Sequence, residues 1–126
     1  MKTKIPKLIH QLWVGDKPIP EQIKGFTDKM PEINQGYECK LWGNEVFDRY
    51  KDDPYLTNYL KEPDLYRWAF ICDRVRCLLL KDFGGIYVDA DALPIQSFDL
   101  ILNQLSENIT FFTGMKPTQQ NNTLFD

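Results

Sequence analysis

Apolar and polar residues alternate with a period of two in several short segments, which is typical of β-strands. Residues 5–14 form a β-rich run that ends before the turn former Pro18. Residues 37–42 alternate in the same way, and residues 86–91 and 109–112 read as further strands, the former running out into a loop. We expect the first of these strands to lie in the centre of a sheet.

Helical segments separate these strands. A first helix is predicted from Pro20 through Phe26, and Pro31 is expected to stop it. A second is predicted over residues 45–50, with Asn44 as its cap. Because strands alternate with helices, the chain is predicted to be an α/β protein with a largely parallel sheet.

The clearest helical period begins at Pro63 and ends at the glycine pair Gly84–Gly85. Apolar residues recur there at spacings of three and four, which predicts a buried helix face. The residues of this stripe are Leu65, Trp68, Ala69, Cys72, Val75 and Leu79.

Length and composition narrow the class of protein. The chain has 126 residues, 43% of them hydrophobic, and a net charge of −3, so we expect one globular domain spanning residues 1–126. The absence of a basic cluster argues against a nucleic-acid partner. With neither a secretory signal nor a transmembrane segment in the sequence, a cytoplasmic location is expected. Cys39, Cys72 and Cys77 lack metal-ligand spacing and are predicted to be small core residues.

Candidate chemistry is concentrated after the glycine pair. Along an extended strand Tyr87, Asp89 and Asp91 share one face, while Ile86 and Val88 point into the core. In open α/β sheets, ligands bind beyond the carboxyl ends of the strands. Hard divalent cations prefer carboxylate and phosphate oxygens, so a metal-bound diphosphate suits this position. An Asp-x-Asp pair also occurs in ordinary surface turns.

Three further residues have two readings each. Asp73 and Arg76 lie three residues apart on the long helix. They are either a solvated ion pair or groups that bind a ligand. Trp13, at the end of the first strand, is either a core residue or a surface on which a base stacks.

Three blocks, residues 5–13, 72–76 and 83–91, together resemble the DXD-motif sugar transferases of glycosyltransferase family 32. They are more distantly similar to the glucosyltransferase domains of large clostridial toxins. The resemblance implies a GT-A (Rossmann-like) fold and a nucleotide-diphosphate sugar donor, with a UDP-sugar favoured. It also implies a divalent cofactor, Mn²⁺ or Mg²⁺, and a hexosyltransferase reaction that retains the anomeric configuration.

The resemblance assigns catalytic roles to four residues of this chain. Asp91 would be the direct metal ligand, and Asp89 would bind the metal and the ribose. Asp73 and Arg76 would contact the hydroxyls of the donor sugar, with Arg76 also near the diphosphate. Stabilising the charge of the departing diphosphate is then the central catalytic task. No nucleophile or general base is assigned.

The nucleotide-sugar site implied by the resemblance also includes Trp13, stacked on the base, Tyr87, supporting the donor, and Gln11. His10 and Gln11 match the family's first-strand pattern, but alternation puts them on opposite faces of the sheet. Neither is given a catalytic role, and His10 is predicted to be a core residue whose hydrogen bonds are satisfied.

Several alternatives stay open. GT-A transferases are usually longer, so the chain is expected to be truncated or minimal at its C-terminus. The acceptor is unidentified, and slow hydrolysis of the donor and self-association into a homo-oligomer are both compatible with the sequence. The rival readings are a non-catalytic nucleotide-sugar or partner-binding module, a haloacid-dehalogenase-like phosphohydrolase and a purely structural α/β domain.

Overall fold

The computed structural model describes residues 5–63 and 67–114. Within them, a parallel sheet is formed by β1 (Leu8–Leu12), β2 (Glu38–Trp42) and β3 (Ile86–Tyr87). The strand order is β2-β1-β3, and Ile9 of β1 pairs with Ile86 of β3. The predictions of a parallel α/β sheet and of a central first strand are therefore confirmed.

Helices connect the strands and cover both faces of the sheet. In chain order the described helices are α1 (Glu21–Ile33), α2 (Val46–Arg49), α3 (Pro54–Lys61), α4 (Arg67–Phe83) and α5 (Asp99–Leu102). None of these helices is long and apolar enough to cross a membrane.

Two buried clusters hold the layers together. The first, which includes residues of α3 and α4, consists of Leu12, Val46, Leu56, Ile71, Val75 and Leu79. The second, which includes residues of α1 and α5, consists of Ile9, Met30, Tyr37, Ile86 and Leu102. Ile9 and Leu12, three residues apart in β1, belong to different clusters, as expected of a central strand buried on its two faces.

Pro31 does not end α1, as the sequence had predicted, because the helix continues to Ile33. Proline removes one backbone donor, but the next turn is closed by Asn34. The backbone N–H and the side-chain amide of Asn34 both donate to the carbonyl of Met30, at 3.0 Å each. These two hydrogen bonds keep the last turn helical beyond the proline.

The prediction for Asn44 is also wrong. Helix α2 spans only Val46–Arg49 and has no side-chain cap. The Asn44 side chain instead accepts a hydrogen bond from the Gly15 N–H at 3.0 Å and donates to the Gly15 carbonyl at 3.1 Å. An asparagine amide can satisfy both groups of one peptide segment, which here ties the loop after β1 to the loop after β2.

Helix α4 differs from its prediction at the start and in its buried face. Pro63 is not helical, the described helix begins at Arg67, and Leu65 lies outside the described residues. The fully buried residues are Ile71, Val75 and Leu79, whereas Trp68, Ala69 and Cys72 are partly or fully exposed. The stripe is therefore rotated by part of a turn relative to the one expected.

The glycine pair ends α4, as predicted. Gly84 has a φ of +67° and its N–H donates to the Leu80 carbonyl at 2.8 Å. Gly85 has a φ of +90°, and a Cβ atom there would collide with the carbonyl oxygen of Leu8. Glycine is thus required for the positive φ and for the close approach of the chain to β1.

The other departures concern the last two predicted strands, the cysteines and an additional helix. Residues 109–112 are irregular rather than a strand, and β3 has only two residues. Cys77 is exposed and is not a core residue, while Cys39 and Cys72 are half-buried; all three thiols are free. Helix α3 was not predicted, although Asp53 and Pro54 form a typical start, with the Asp53 carboxylate accepting from the Leu56 N–H at 3.0 Å.

Candidate functional site

An open cleft of about 440 Å³ lies beyond the carboxyl ends of β1 and β3. It is bounded by the residues that follow these two strands, by one side of α4 and by Ile23 of α1. Its lining is Leu12, Trp13, Val14, Ile23, Trp68, Ala69, Cys72, Tyr87, Asp89, Ala90 and Asp91. The two aspartates and the N-terminal indole singled out from the sequence therefore share one cleft.

The acidic residues occupy a turn rather than the extended strand that was expected. Pairing with β1 ends when the Val88 N–H donates to the His10 carbonyl at 2.9 Å. The Ala92 N–H then donates to the Asp89 carbonyl at 3.1 Å and closes the turn. Ala90 is buried, and Asp89 and Asp91 on either side of it are exposed. We call residues 89–92 the acidic turn.

Tyr87 forms part of the cleft wall beneath a cation. The Arg76 guanidinium carbon lies 5.4 Å from the centre of the Tyr87 ring. Burial raises the pKa of the Tyr87 hydroxyl, and the nearby Asp89 carboxylate raises it further. The phenol is therefore neutral at physiological pH and able to donate a hydrogen bond.

Asp73 and Arg76 form an ion pair at the edge of the cleft, with 2.6 Å between the Asp73 Oδ1 and Arg76 Nη2 atoms. Both side chains are substantially exposed, at 65% for Asp73 and 38% for Arg76. Neither residue lines the cleft, although Arg76 contacts it through Tyr87. Its exposure makes it a solvated ion pair. The contact of Arg76 with Tyr87 brings it close to the acidic turn.

Two hydrogen bonds hold Trp13 in place, one from its backbone N–H and one from its indole ring. The Trp13 N–H donates to the Trp42 carbonyl at 2.9 Å, and its ring Nε1–H donates to the Lys17 carbonyl at 3.1 Å. Asn44 holds the following loop through its bonds to Gly15. The loop also lies against Trp68, whose ring would be 3.6 Å from a Cβ atom added to Gly15. A half-buried, oriented indole thus forms one wall of the cleft.

His10 and Gln11 are both buried, at 1% and 3% exposure, and neither lines the cleft. The His10 Nδ1 accepts from Trp42 at 3.1 Å, and its Nε2 lies 2.9 Å from the Gly84 carbonyl, which requires the proton on Nε2. Burial lowers the pKa of His10. The prediction of a satisfied core histidine is therefore confirmed, while Gln11, expected in the nucleotide-sugar site, is buried and does not line the cleft.

Sequence reasoning missed the contribution of α4. Trp68, Ala69 and Cys72 line the cleft, although they had been assigned to a buried stripe. Burial raises the pKa of the Cys72 thiol, and the charges of Asp73 and Asp89 raise it further, so this wall stays uncharged. Spacing gave little signal, because Trp68 and Cys72 each lie three and seven residues before members of the Ile71–Val75–Leu79 face and also pack against its cluster.

The side chains at the acidic turn determine which kind of divalent-cation site is possible there. Asp89 and Asp91 supply two exposed carboxylates, and the described residues contain no group of three or more acidic, cysteine or histidine ligands. Mg²⁺ and Mn²⁺ sites of the substrate-bridging type use one or two carboxylates and complete their coordination with phosphate and water. The donor set fits a cation shared with a phosphate ligand and does not fit a closed structural metal site.

In open α/β sheets ligands bind in the crevice beyond the carboxyl ends of the strands, which is where the acidic turn and the Trp13 indole lie. Residues 20–111 match the family described as the glycosyltransferase sugar-binding region containing a DXD motif. The chain belongs to this family, and its DXD sequence is Asp89-Ala90-Asp91.

Individual relatives agree with this membership. An uncharacterized glycosyltransferase of Acanthamoeba polyphaga mimivirus is 33% identical over 69% of this chain. Inositol phosphoceramide mannosyltransferase 3 of Schizosaccharomyces pombe is 34% identical over 79% of it. The chain spans 36% and 28% of the lengths of these two relatives.

Structural comparison supports the fold. The solved structure of the PaToxG glycosyltransferase matches with a TM-score of 0.58 and 23% identity, over 77% of this chain and 46% of that one. The expected GT-A-like architecture, a parallel sheet flanked by helices, is thereby confirmed.

Proposed function

We propose that the chain is the donor-binding part of a metal-dependent, retaining hexosyltransferase that takes a nucleotide-diphosphate sugar, with a UDP-sugar favoured. The observation that carries the proposal is the shared cleft. Asp89 and Asp91 line it together with Trp13, beyond the carboxyl ends of two parallel strands. A nucleotide sugar needs a surface for its base and a positive charge for its diphosphate. Trp13 would offer the surface, and Asp89 and Asp91 would hold the cation that supplies the charge.

Different residues along the cleft would bind different parts of the donor. Trp13 offers a fixed aromatic face for the base, held by its bond to the Lys17 carbonyl. Asp89 and Asp91 would hold Mn²⁺ or Mg²⁺, which supplies Lewis-acid stabilisation of the leaving diphosphate when bound. The acidic turn orients these carboxylates through its bond from the Ala92 N–H to the Asp89 carbonyl.

Arg76 and Asp73 complete the donor site at its edge. The Arg76 guanidinium over the Tyr87 ring is a fixed cation beside the acidic turn. It can approach a diphosphate oxygen by exchanging its exposed bond to Asp73 for one to the ligand. Asp73, so released, can accept from a sugar hydroxyl, and the neutral Tyr87 hydroxyl can donate to the donor.

The identity of the sugar is a separate part of the proposal. The relative from Schizosaccharomyces pombe is named as a mannosyltransferase, as are other relatives, which supports a mannosyl donor beside the favoured UDP-hexose. The test is a screen of UDP-glucose, UDP-galactose and GDP-mannose with and without Mn²⁺. Both binding, by calorimetry, and release of the nucleoside diphosphate are measured.

Asp91→Asn is the decisive variant, with Asp28→Asn as its control. Asp28 is an exposed aspartate of α1 paired with Lys24, so its change removes the same charge away from the cleft. We expect Mn²⁺-dependent binding of at least one donor to the unmodified chain and to Asp28→Asn, and its loss in Asp91→Asn. Equal binding in all three with and without Mn²⁺ would refute the proposal.

The second candidate is a nucleotide-sugar-binding module that transfers nothing. The observation that favours it is the cleft itself, whose described lining offers an indole and two carboxylates for binding a donor. Donor binding without any release of nucleoside diphosphate indicates the module. Release without an added acceptor indicates slow donor hydrolysis, in which water takes the sugar.

A further inference from the structure

A buried glutamine lies directly behind the acidic turn. Gln11 of β1 is 3% exposed, and its side-chain Nε2 donates to the backbone carbonyl of Asp89 at 3.4 Å. In the described part of the chain this is the one hydrogen bond of the Gln11 amide. The amide orientation is fixed by chemistry, since only its NH₂ group can face a carbonyl oxygen.

The position of this bond gives it a particular consequence. The backbone pairing between β1 and the segment after β3 ends where the Val88 N–H meets the His10 carbonyl. One residue later, the Asp89 carbonyl is reached by the Gln11 side chain instead. The same carbonyl oxygen accepts from the Ala92 N–H at 3.1 Å, which closes the acidic turn. Gln11 therefore adds one more hydrogen bond between the central strand and the chain after β3, and this bond is made to the acidic turn.

We propose that Gln11 is a positioning residue, which fixes the acidic turn against β1 so that Asp89 and Asp91 are held ready for a cation and its phosphate ligand. The proposal rests on the function proposed above and assigns Gln11 a different role from direct contact with the donor. Gln11 acts through the backbone of Asp89, from the side of the sheet that does not line the cleft. Hydrogen bonds made to a metal-coordinating residue commonly set how well its coordinating atoms are oriented.

The test compares Gln11→Met with Gln104→Met. Methionine keeps nearly the length and volume of glutamine but cannot donate to the Asp89 carbonyl. Gln104 is exposed beyond α5 and away from the cleft lining, so it controls for the same chemical change. Mn²⁺ binding in the presence of UDP is measured by electron paramagnetic resonance. The expected result is about a 10-fold weaker Mn²⁺ affinity for Gln11→Met and an unchanged one for Gln104→Met.

Hydrogen exchange of the Ala92 amide supplies a readout that does not depend on function. Loss of the Gln11 bond frees the carbonyl that Ala92 bonds, so we expect faster exchange at Ala92 in Gln11→Met, with exchange at Val75 in the core unchanged. Faster exchange combined with unaltered Mn²⁺ affinity overturns the positioning role. If the unmodified chain binds no Mn²⁺ with UDP, the proposed function fails, while the exchange data still report whether Gln11 holds the turn.

A measurement on the unmodified chain covers the case in which Gln11→Met does not fold. With ¹⁵N-labelled glutamine, the side-chain NH₂ resonance of Gln11 is followed as Mg²⁺ and UDP are added. We expect this resonance to shift while that of Gln104 does not, because the carbonyl that Gln11 bonds belongs to a cation-binding residue. An unshifted Gln11 resonance at saturating Mg²⁺ and UDP contradicts the proposal.

Discussion

His10 is the only histidine in the sequence, and it joins three elements at once. From β1 its ring bonds Trp42 of β2 and the Gly84 carbonyl at the end of α4, and it packs against the ring of Phe83. Both ring nitrogens are used by the neutral form, one as acceptor and one as donor. Protonation would place two hydrogen-bond donors, the ring Nδ1–H and the Trp42 indole, face to face in a buried position.

This arrangement predicts a stability that depends on pH. The pKa of His10 is lowered by burial, so between that value and the ordinary 6.5 the unfolded chain binds a proton that the folded chain does not. The free energy of unfolding should therefore fall as the pH drops below about 6.5, by up to about 1.4 kcal/mol per unit. Urea unfolding between about pH 5.5 and 7.5 measures it, and His10→Gln should be less stable but free of this slope. A stability that stays level or rises on acidification contradicts the assignment.

Two glycines with nearly the same φ allow a steric effect to be separated from a conformational one. Gly36 and Gly85 have φ values of +89° and +90°, but a Cβ at Gly36 has open space, whereas one at Gly85 would collide with the Leu8 carbonyl. We expect Gly36→Ala to cost about 1–2 kcal/mol from the positive φ alone. Gly85→Ala should cost about 1–3 kcal/mol more, because β3 must shift away from β1. Chemical denaturation of both variants checks this, and equal costs would show that the backbone relaxes freely.

Single residues also show how far the site could be predicted. Trp13, Tyr87, Asp89 and Asp91 were singled out by their motifs and line one cleft, although the two aspartates lie in a turn and not on the expected strand. The role of Gln11 was not recognised, because its amide reaches a backbone carbonyl 78 residues later in the chain. Sequence pattern indicates which face a side chain shares, but not which distant backbone group it meets.

At the scale of elements, the predictions failed mainly where short-range signals compete with tertiary bonds. Pro31 is a valid stop signal, yet the Asn34 side chain holds the last turn of α1. Asn44 is a valid cap, yet it bonds Gly15 across the cleft-bordering loops. In each case the asparagine also bonds a distant segment, because the Asn34 side chain accepts from the Phe98 N–H and the Asn44 side chain from the Gly15 N–H. Local propensity cannot indicate such partners.

The junction of α3 and α4 depends on a single carboxylate. Asp53 caps α3 through the Leu56 N–H, and it also accepts two bonds from the Arg74 guanidinium, at 2.6 and 3.0 Å. Its side chain is only 10% exposed. The Arg74 bonds lower the pKa of Asp53, which shows that the folded state favours its charged form.

Replacing this carboxylate should therefore destabilise the chain more than an ordinary surface pair does. We expect Asp53→Ala to cost about 2–4 kcal/mol, since it removes a helix cap and leaves Arg74 without its partner. The matched control is Asp28→Ala, which breaks the exposed Lys24–Asp28 pair of α1 and should cost at most about 0.5 kcal/mol. Urea denaturation of both variants measures the difference. A cost for Asp53→Ala no larger than that for Asp28→Ala would show that water replaces these bonds without loss.

For the molecule as a whole, the parallel direction of the strands and the central place of β1 followed from the sequence, because alternating helices and strands admit few layer arrangements. The location of the cleft followed as well, since ligands gather at the carboxyl ends of parallel strands. The wall formed by α4 did not follow, because a small rotation decides whether Ala69 and Cys72 face the core or the cleft. Such a rotation is set by packing of Ile71, Val75 and Leu79 against β1 and α3, not by their spacing alone.

The cleft draws its walls from β1, α1, α4 and the acidic turn, so a ligand bound there contacts groups that separate when the chain unfolds. A donor nucleotide should therefore stabilise the whole molecule. At about 100 times its dissociation constant it should add about 2.7 kcal/mol, a rise of several degrees in the unfolding midpoint. We expect UDP with Mn²⁺ to produce this rise, Asp91→Asn to remove its Mn²⁺-dependent part, and Trp13→Ala to remove most of what UDP contributes alone. Differential scanning fluorimetry with Asp28→Asn as control measures it; a midpoint that UDP and Mn²⁺ leave unchanged would mean that the cleft binds neither.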